Sequence, residues 1–240
     1  MEIGGLQKLT LIDYPGRLAA TVFLIGCDFR CPFCYSSELV LPEKIKNQPR
    51  IPEKEFFKFL KERKGLLEGV TICGGEPCIN KDLPQFCKKI KKHGYLVKLD
   101  TNGSKPEMLK SLIDKKLIDY VAMDIKAPLD ERYWRASGVK CDLEAIGQSI
   151  DFLLKDELDY EFRTTVCPTF SEKKDILDIA RQIEGAKQYT LQNFRPVNCL
   201  DPQMEKVSPF PKEVLREMAL EAGRFVREVS VRGEAPSVYA

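Results

Sequence analysis

Six short apolar runs, rich in β-branched residues, recur along the chain, and stretches whose apolar residues repeat at helical spacing lie between them. The runs are residues 21–26 (TVFLIG), 70–75 (VTICGG), 96–103 (LVKLDTNG), 119–126 (DYVAMDIK), 161–166 (EFRTTV) and 189–194 (YTLQNF). Most of these strands read as continuously apolar, the mark of a parallel sheet covered by helices. Between them, Leu83, Phe86, Cys87 and Ile90 fall at i, i+3, i+4 and i+7, with Asp82 as candidate N-cap and Gly94 as a stop. Met108, Leu109, Leu112 and Ile113 repeat the pattern behind Pro106, which suits a first helical turn. Ile146, Ile150, Leu153 and Leu154 form a third stripe, and Ile176, Ile179, Ala180 and Ile183 a fourth, with Ser171 as candidate cap. Strand then helix, six times over, predicts an α/β protein. Right-handed crossovers curl such a chain into a partial barrel, (β/α)6, with parallel strands inside and helices outside.

Composition narrows the setting. A chain of 240 residues that is 43% hydrophobic and 31% charged can bury its own core. With no linker or shift in composition, one domain is expected over residues 1–240. Its core spans about 18–200, preceded by an N-terminal segment and followed by a helix and a candidate edge strand at 226–231. No apolar run approaches the roughly 20 residues a bilayer requires, so no membrane association is expected. A net charge of +2 argues against nucleic-acid binding driven by field alone. Nine cysteines, an odd number without an export signal, predict a cytoplasmic protein whose thiols serve metal or redox chemistry.

In β/α barrels, reacting groups stand at the C-terminal ends of the strands. Here those ends carry Gly26-Cys27, Gly74-Gly75-Glu76, Asp100-Thr101-Asn102-Gly103, Asp124-Ile125-Lys126, Thr165 to Cys167 and Asn193 to Arg195. The first leads into Cys27-Asp-Phe-Arg-Cys31-Pro-Phe-Cys34, a C-x3-C-x2-C loop. Three thiolates on one loop suit iron or zinc, but a structural zinc site needs a fourth protein ligand and no second cysteine pair supplies one. A [4Fe–4S] cluster with one open iron is the better match. The alternatives are a degenerate zinc loop or buried free thiols. Cys73, Cys78, Cys167 and Cys199 lie on the same predicted face and read as structural thiols.

This loop, with Phe33 just before its last cysteine, resembles the signature of the radical S-adenosylmethionine (SAM) enzymes. Cys73-Gly74-Gly75-Glu76-Pro77 looks like that superfamily's GGE motif, in its expected place after the second strand. Gly4-Gly5-Leu6-Gln7 with Ile12-Asp13-Tyr14-Pro15-Gly16 resembles the opening of anaerobic ribonucleoside-triphosphate reductase activating proteins. Leu99 to Gly103 and Met123 to Lys126 resemble motifs shared with pyruvate formate-lyase activating enzymes.

The resemblance implies a radical SAM barrel and a set of roles. Cys27, Cys31 and Cys34 would hold three irons. Phe33, Cys34 and Tyr35 would meet the adenine, Gly74 and Gly75 would let the backbone approach SAM, and Glu76 would complement its ammonium or fix the loop. Asp124 and Lys126 would reach the ribose and carboxylate. Asp100, Thr101 and Asp124 offer hard oxygens suited to a monovalent cation; an Asx-type turn is the equal alternative for residues 100–103. Tyr35 stands where many activases have histidine. Arg195 stands where pyruvate formate-lyase activases place a SAM-contacting histidine, and pointing inward it would meet the SAM carboxylate. The implied activity is reductive cleavage of SAM to a 5′-deoxyadenosyl radical that generates a glycyl radical on a partner enzyme. By the same resemblance the partner is an anaerobic ribonucleotide reductase, with flavodoxin or ferredoxin as electron donor. The alternatives are a radical SAM enzyme acting on a small molecule, RNA or peptide, such as a 7-carboxy-7-deazaguanine synthase-like protein, and a non-catalytic iron–sulfur protein.

Overall fold

The computed structural model describes residues 1–233; the last residues of the expected domain, 234–240, lie outside the described residues. The six expected strands are present, each within two residues of its expected bounds. They are β2 (Ala19–Leu24), β3 (Gly69–Gly74), β4 (Leu96–Thr101), β5 (Tyr120–Asp124), β6 (Asp159–Val166) and β7 (Tyr189–Asn193). The candidate edge strand forms as β8 (Val229–Arg232). One further strand, β1 (Ile3–Thr10), comes from the N-terminal segment. Two glycines and a polar tail obscure its alternation in the sequence. A Cβ at Gly4 would lie 2.5 Å from Leu39 Cδ2 and 2.8 Å from Ile25 Cγ1, so a larger residue there would press on these two side chains.

The strands lie in the order β1 to β8, with β1 antiparallel to β2 and every later pair parallel. Each crossover thus adds its strand on the same side of the last, so with a constant hand the helices all fall on one face. A doubly wound sheet would reverse direction at a switch point, and this one does not. One face is therefore covered and the other curls inward.

The helices are α1 (Ser37–Val40), α2 (Pro42–Ile45), α3 (Glu53–Glu62), α4 (Leu83–Lys92), α5 (Pro106–Asp114), α6 (Glu131–Ser137), α7 (Leu143–Leu154), α8 (Lys173–Gln182) and α9 (Lys212–Ala222). In α4 all four residues of the expected stripe are buried, and the chain leaves the helix through Gly94 at φ +89°. Helix α8 departs from expectation at its start. Glu172 and Asp175 form a reciprocal capping box, with Asp175 accepting from the Glu172 N–H at 2.7 Å. Ser171 instead turns back to the Cys167 carbonyl at 2.8 Å. Among the described residues, no helix is long and apolar enough to cross a membrane.

The large core lies between helices and sheet. A second, small one made of Tyr14, Ala19, Tyr120 and Ala122 lies at one end of the inner face. Tyr14, from the N-terminal Ile12-Asp13-Tyr14-Pro15-Gly16 segment, packs its ring 5.9 Å from that of Tyr120. Burial there pushes its hydroxyl up to about 12. One end of the inner space is thus plugged by the chain's own aromatic residues, and the other end stays open.

Candidate functional site

At that open end a cavity of about 500 Å³ meets the C-terminal ends of β2 to β7 and the end of β8. Its wall includes every residue given a cluster or cofactor role from the sequence: Cys27, Cys31, Phe33, Cys34, Tyr35, Gly74, Gly75, Glu76, Asp100, Thr101, Asp124, Lys126 and Arg195. Of the four further cysteines expected on this face, Cys73 reaches the wall and Cys78, Cys167 and Cys199 are buried behind it. Strand alternation accounts for this convergence. Asp100, Asp124 and Thr165 each stand near a strand end with the side chain on the inner face.

The cysteine loop leaves β2 through Gly26, whose φ of +97° and N–H bond to the Leu39 carbonyl (2.8 Å) set the turn. Cys31 is buried, and Cys27 and Cys34 are half-buried. Arg30 braces the loop by donating to the carbonyls of Cys27 and Phe29, both at 2.7 Å, while its own N–H meets the Ser137 carbonyl at the end of α6. A second clasp comes from far along the chain. The N–H groups of Leu200 and Asp201 donate to the carbonyls of Cys34 and Pro32, both at 2.9 Å. Burial pushes the Cys27 and Cys31 thiols up to about 12 and raises that of Cys34, with Lys126 acting against the rise at Cys31 and Cys34. Iron would therefore displace protons on binding. Among the described residues no three such groups gather around a single ion point. A cluster does not ask for that, because each thiolate meets a different iron, and a three-thiol wall beside an open cavity fits it.

The Gly-Gly-Glu turn is built by contact with this loop. A Cβ on Gly75 would lie 1.9 Å from the Gly26 carbonyl oxygen, and one on Gly74 would lie 2.4 Å from the backbone of Leu24. Both glycines, expected to let the backbone approach a cofactor, are already required by the neighbouring strand end. Glu76 is 1% exposed, and both of its oxygens are engaged. It accepts from the Cys78 N–H (2.9 Å), the Thr101 hydroxyl (2.7 Å) and the Asn102 N–H (2.6 Å). Burial raises its carboxyl to about 7, with these three bonds opposing the rise. Of its two expected roles, fixing the loop is the one these contacts perform.

Residues 100–103 do form the Asx-type turn, since Asn102 Oδ1 accepts from the Ser104 N–H at 2.9 Å. The carboxylates expected to suit a monovalent cation are already neutralised by cations of the chain. Asp100 pairs with buried Lys98 and, at 2.9 Å, with Arg163 Nη1. Asp124 receives Arg163 Nε at 2.8 Å and Lys126 Nζ at 3.1 Å. The Thr101 hydroxyl is spent on Glu76 and on the Gly103 N–H (3.1 Å). This donor set does not fit a further cation. Burial opposes ionisation of Asp124, but Arg163 and Lys126 outweigh it and hold the carboxyl well below the usual range.

Arg163 and Lys98 escaped the sequence reading. Their signal is a basic residue inside each of two strand runs, two positions from an acidic one: Lys98 beside Asp100 and Arg163 beside Glu161. Asp28, between the first two cysteines of the loop, is a further acceptor and is half-buried. It accepts from Asn102, Ser104 and Lys105 at 2.9, 2.7 and 3.0 Å, tying the cysteine loop to the turn after β4. Arg195 is exposed at the rim, with its guanidinium 5.3 Å from the Tyr35 ring centre and its N–H donating to the Tyr35 hydroxyl at 2.6 Å.

Comparison with known proteins follows the same lines. The family model described as the radical SAM superfamily matches residues 21–183. A protein of Methanocaldococcus jannaschii, named provisionally as a glycyl-radical enzyme activating enzyme, is 35% identical over 96% of this chain and 95% of its own. A 7-carboxy-7-deazaguanine synthase of Koribacter versatilis is 28% identical over 62% of each chain. In fold, the chain is similar to a domain of pyruvate-formate lyase-activating enzyme from Bacteroides vulgatus, with a TM-score of 0.55 and 16% identity over 69% of this chain and 99% of that one. The matched span begins on β2, takes in the cysteine loop and the ends of β2 to β6, and covers well over half of the chain; the protein belongs to the radical SAM superfamily, whose cofactors are a [4Fe–4S] cluster and SAM.

Proposed function

We propose that the protein is a glycyl-radical enzyme activase, with an anaerobic ribonucleoside-triphosphate reductase as its partner and flavodoxin or ferredoxin as electron donor. One observation carries this reading beyond the superfamily: the likeness to the Methanocaldococcus jannaschii relative runs nearly end to end and takes in the N-terminal segment. The open cavity agrees with it. β1 and β8 are the edge strands of the sheet, with β1 meeting Ile51 through a single bridge at Ile3, and the cavity wall includes Ile12 after β1 and Gly233 after β8. A polypeptide glycine needs such an approach.

When bound, the cluster and SAM supply the reductive C–S cleavage that drives hydrogen-atom abstraction. In this reading Cys27, Cys31 and Cys34 hold three irons in a loop clasped by Arg30 and the 200–201 backbone. Lys126 and Arg163 present positive charge to the SAM carboxylate, and Asp124 reaches the ribose. Phe33 and Tyr35 form the adenine side. Glu76 holds the Gly-Gly turn, and Arg195 stacks on Tyr35 at the rim. The shared span with 7-carboxy-7-deazaguanine synthase supports a second reading, a small-molecule substrate, over a shorter stretch.

The test is anaerobic. The protein is reconstituted with iron and sulfide, reduced and given SAM, and 5′-deoxyadenosine is quantified against Cys31→Ala. The purified reductase is then added and its glycyl radical followed by electron paramagnetic resonance. Cleavage in wild type, loss in Cys31→Ala and a radical on the reductase are the expected results. SAM cleavage with no radical on any glycyl-radical enzyme would instead favour the small-molecule reading.

A further inference from the structure

We infer that Arg163 serves as a built-in cation between Asp100 and Asp124, so that SAM binding and fold stability need no bound monovalent metal ion. The inference rests on the SAM-binding reading proposed above. Its grounds are the four carboxylate oxygens. Asp100 Oδ1 takes Lys98, Asp100 Oδ2 takes Arg163 Nη1, Asp124 Oδ1 takes Arg163 Nε and Asp124 Oδ2 takes Lys126. No oxygen of the pair is left without a charged donor. Arg163 is 9% exposed overall and Lys98 1%, so the bonds form away from bulk water.

A guanidinium is suited to this place. Its planar fork spans two acceptors at once, and it stays protonated at any working pH. Because it is tethered, its local concentration does not depend on salt, and binding it costs no loss of free-ion translation. A sodium or potassium ion entering here would have to displace one of these donors and sit beside the like charge of the others. Of the three cations, Arg163 and Lys126 reach the cavity wall, where they balance Asp100 and Asp124.

The experiment compares reconstituted protein in potassium chloride with the same protein in tetramethylammonium chloride at equal ionic strength. Two quantities are read: the SAM dissociation constant and Tm without SAM. Wild type is expected to differ by less than about twofold in affinity between the salts and not at all in Tm. In Arg163→Met the two carboxylates face each other with one donor fewer on each, so potassium should tighten SAM binding by on the order of tenfold and raise Tm. Arg163→Lys, which restores one charge, should show a smaller potassium response than Arg163→Met. A wild-type loss of about tenfold or more in affinity without potassium would overturn the inference, as would Arg163→Met with no potassium response. If Arg163→Met does not fold, the wild-type comparison and Arg163→Lys decide between the same two outcomes. If wild type binds no SAM in either salt, the proposed function fails while Tm still judges this inference. A potassium-specific rise in wild-type Tm overturns it, and its absence supports it.

Discussion

Glu76 shows how one buried side chain can organise a site without reaching out of it. It joins the turn after β3 to the turn after β4 through three donors, two of them backbone N–H groups. Its carboxyl sits near 7 in the folded chain, against 4.5 for an unperturbed group. Between those values the folded state keeps a proton that the unfolded chain has released. Stability from this group is therefore present at low pH and is lost as pH rises toward 7. The Tm of the cluster-free wild type should fall between about pH 5 and pH 7.5, and Glu76→Gln should fall less over the same range. Parallel pH profiles for the two would show that Glu76 is ionised throughout. Arg163 works at the same scale by a different route, since its charge does not titrate and its effect is read in salt.

Among the elements, the closest approach is between the ends of β2 and β3. The N–H groups of Gly75 and Glu76 donate to the carbonyls of Leu24 and Gly26 at 2.9 and 2.8 Å. This leaves no space for a side chain at position 75, and the obstructing atom is backbone, which no rotamer change can clear. Gly75→Ala should cost about 3 kcal/mol, or roughly 10 °C in Tm for a chain of this size. Calorimetry checks it, and an unchanged Tm would mean that the two strand ends stand farther apart. The clasp at Leu200 and Asp201 belongs to this scale too: the segment after β7 holds the cysteine loop after β2, across the width of the parallel series.

For the molecule as a whole, the inner face is divided into three zones along its length. Tyr14 and Tyr120 fill one end, charged residues occupy the middle, and the cavity opens at the other end. A ligand that binds only this assembled cavity must stabilise the entire fold by mass action. SAM at about a hundred times its dissociation constant should add about 2.7 kcal/mol to the reconstituted protein, roughly 5–10 °C in Tm. Cys31→Ala, or wild type stripped of iron by a chelator, should show no such shift. A full shift in Cys31→Ala would mean that SAM binds without the cluster.

The six central strands, the α4 and α5 stripes and most of the cavity residues are legible because each rests on local pattern. Alternation and helical spacing are properties of neighbours in the chain, and a β/α unit puts its strand-end residues on one rim whatever the details. Less legible were β1, with its two glycines, and α6, a short helix set by Asp130 at one end and Gly138 at the other. The partners of the polar groups were not legible at all. That Gly75 is required by Gly26, that Glu76 closes on Thr101 and Asn102, and that Arg163 rather than a metal ion lies between Asp100 and Asp124 are contacts between residues from 25 to 63 positions apart. Sequence by itself determined which motifs stand at the strand ends over the cavity. Only the tertiary structure decided what each one holds there, because a buried charge is settled by whichever opposite charge the fold brings within hydrogen-bonding distance.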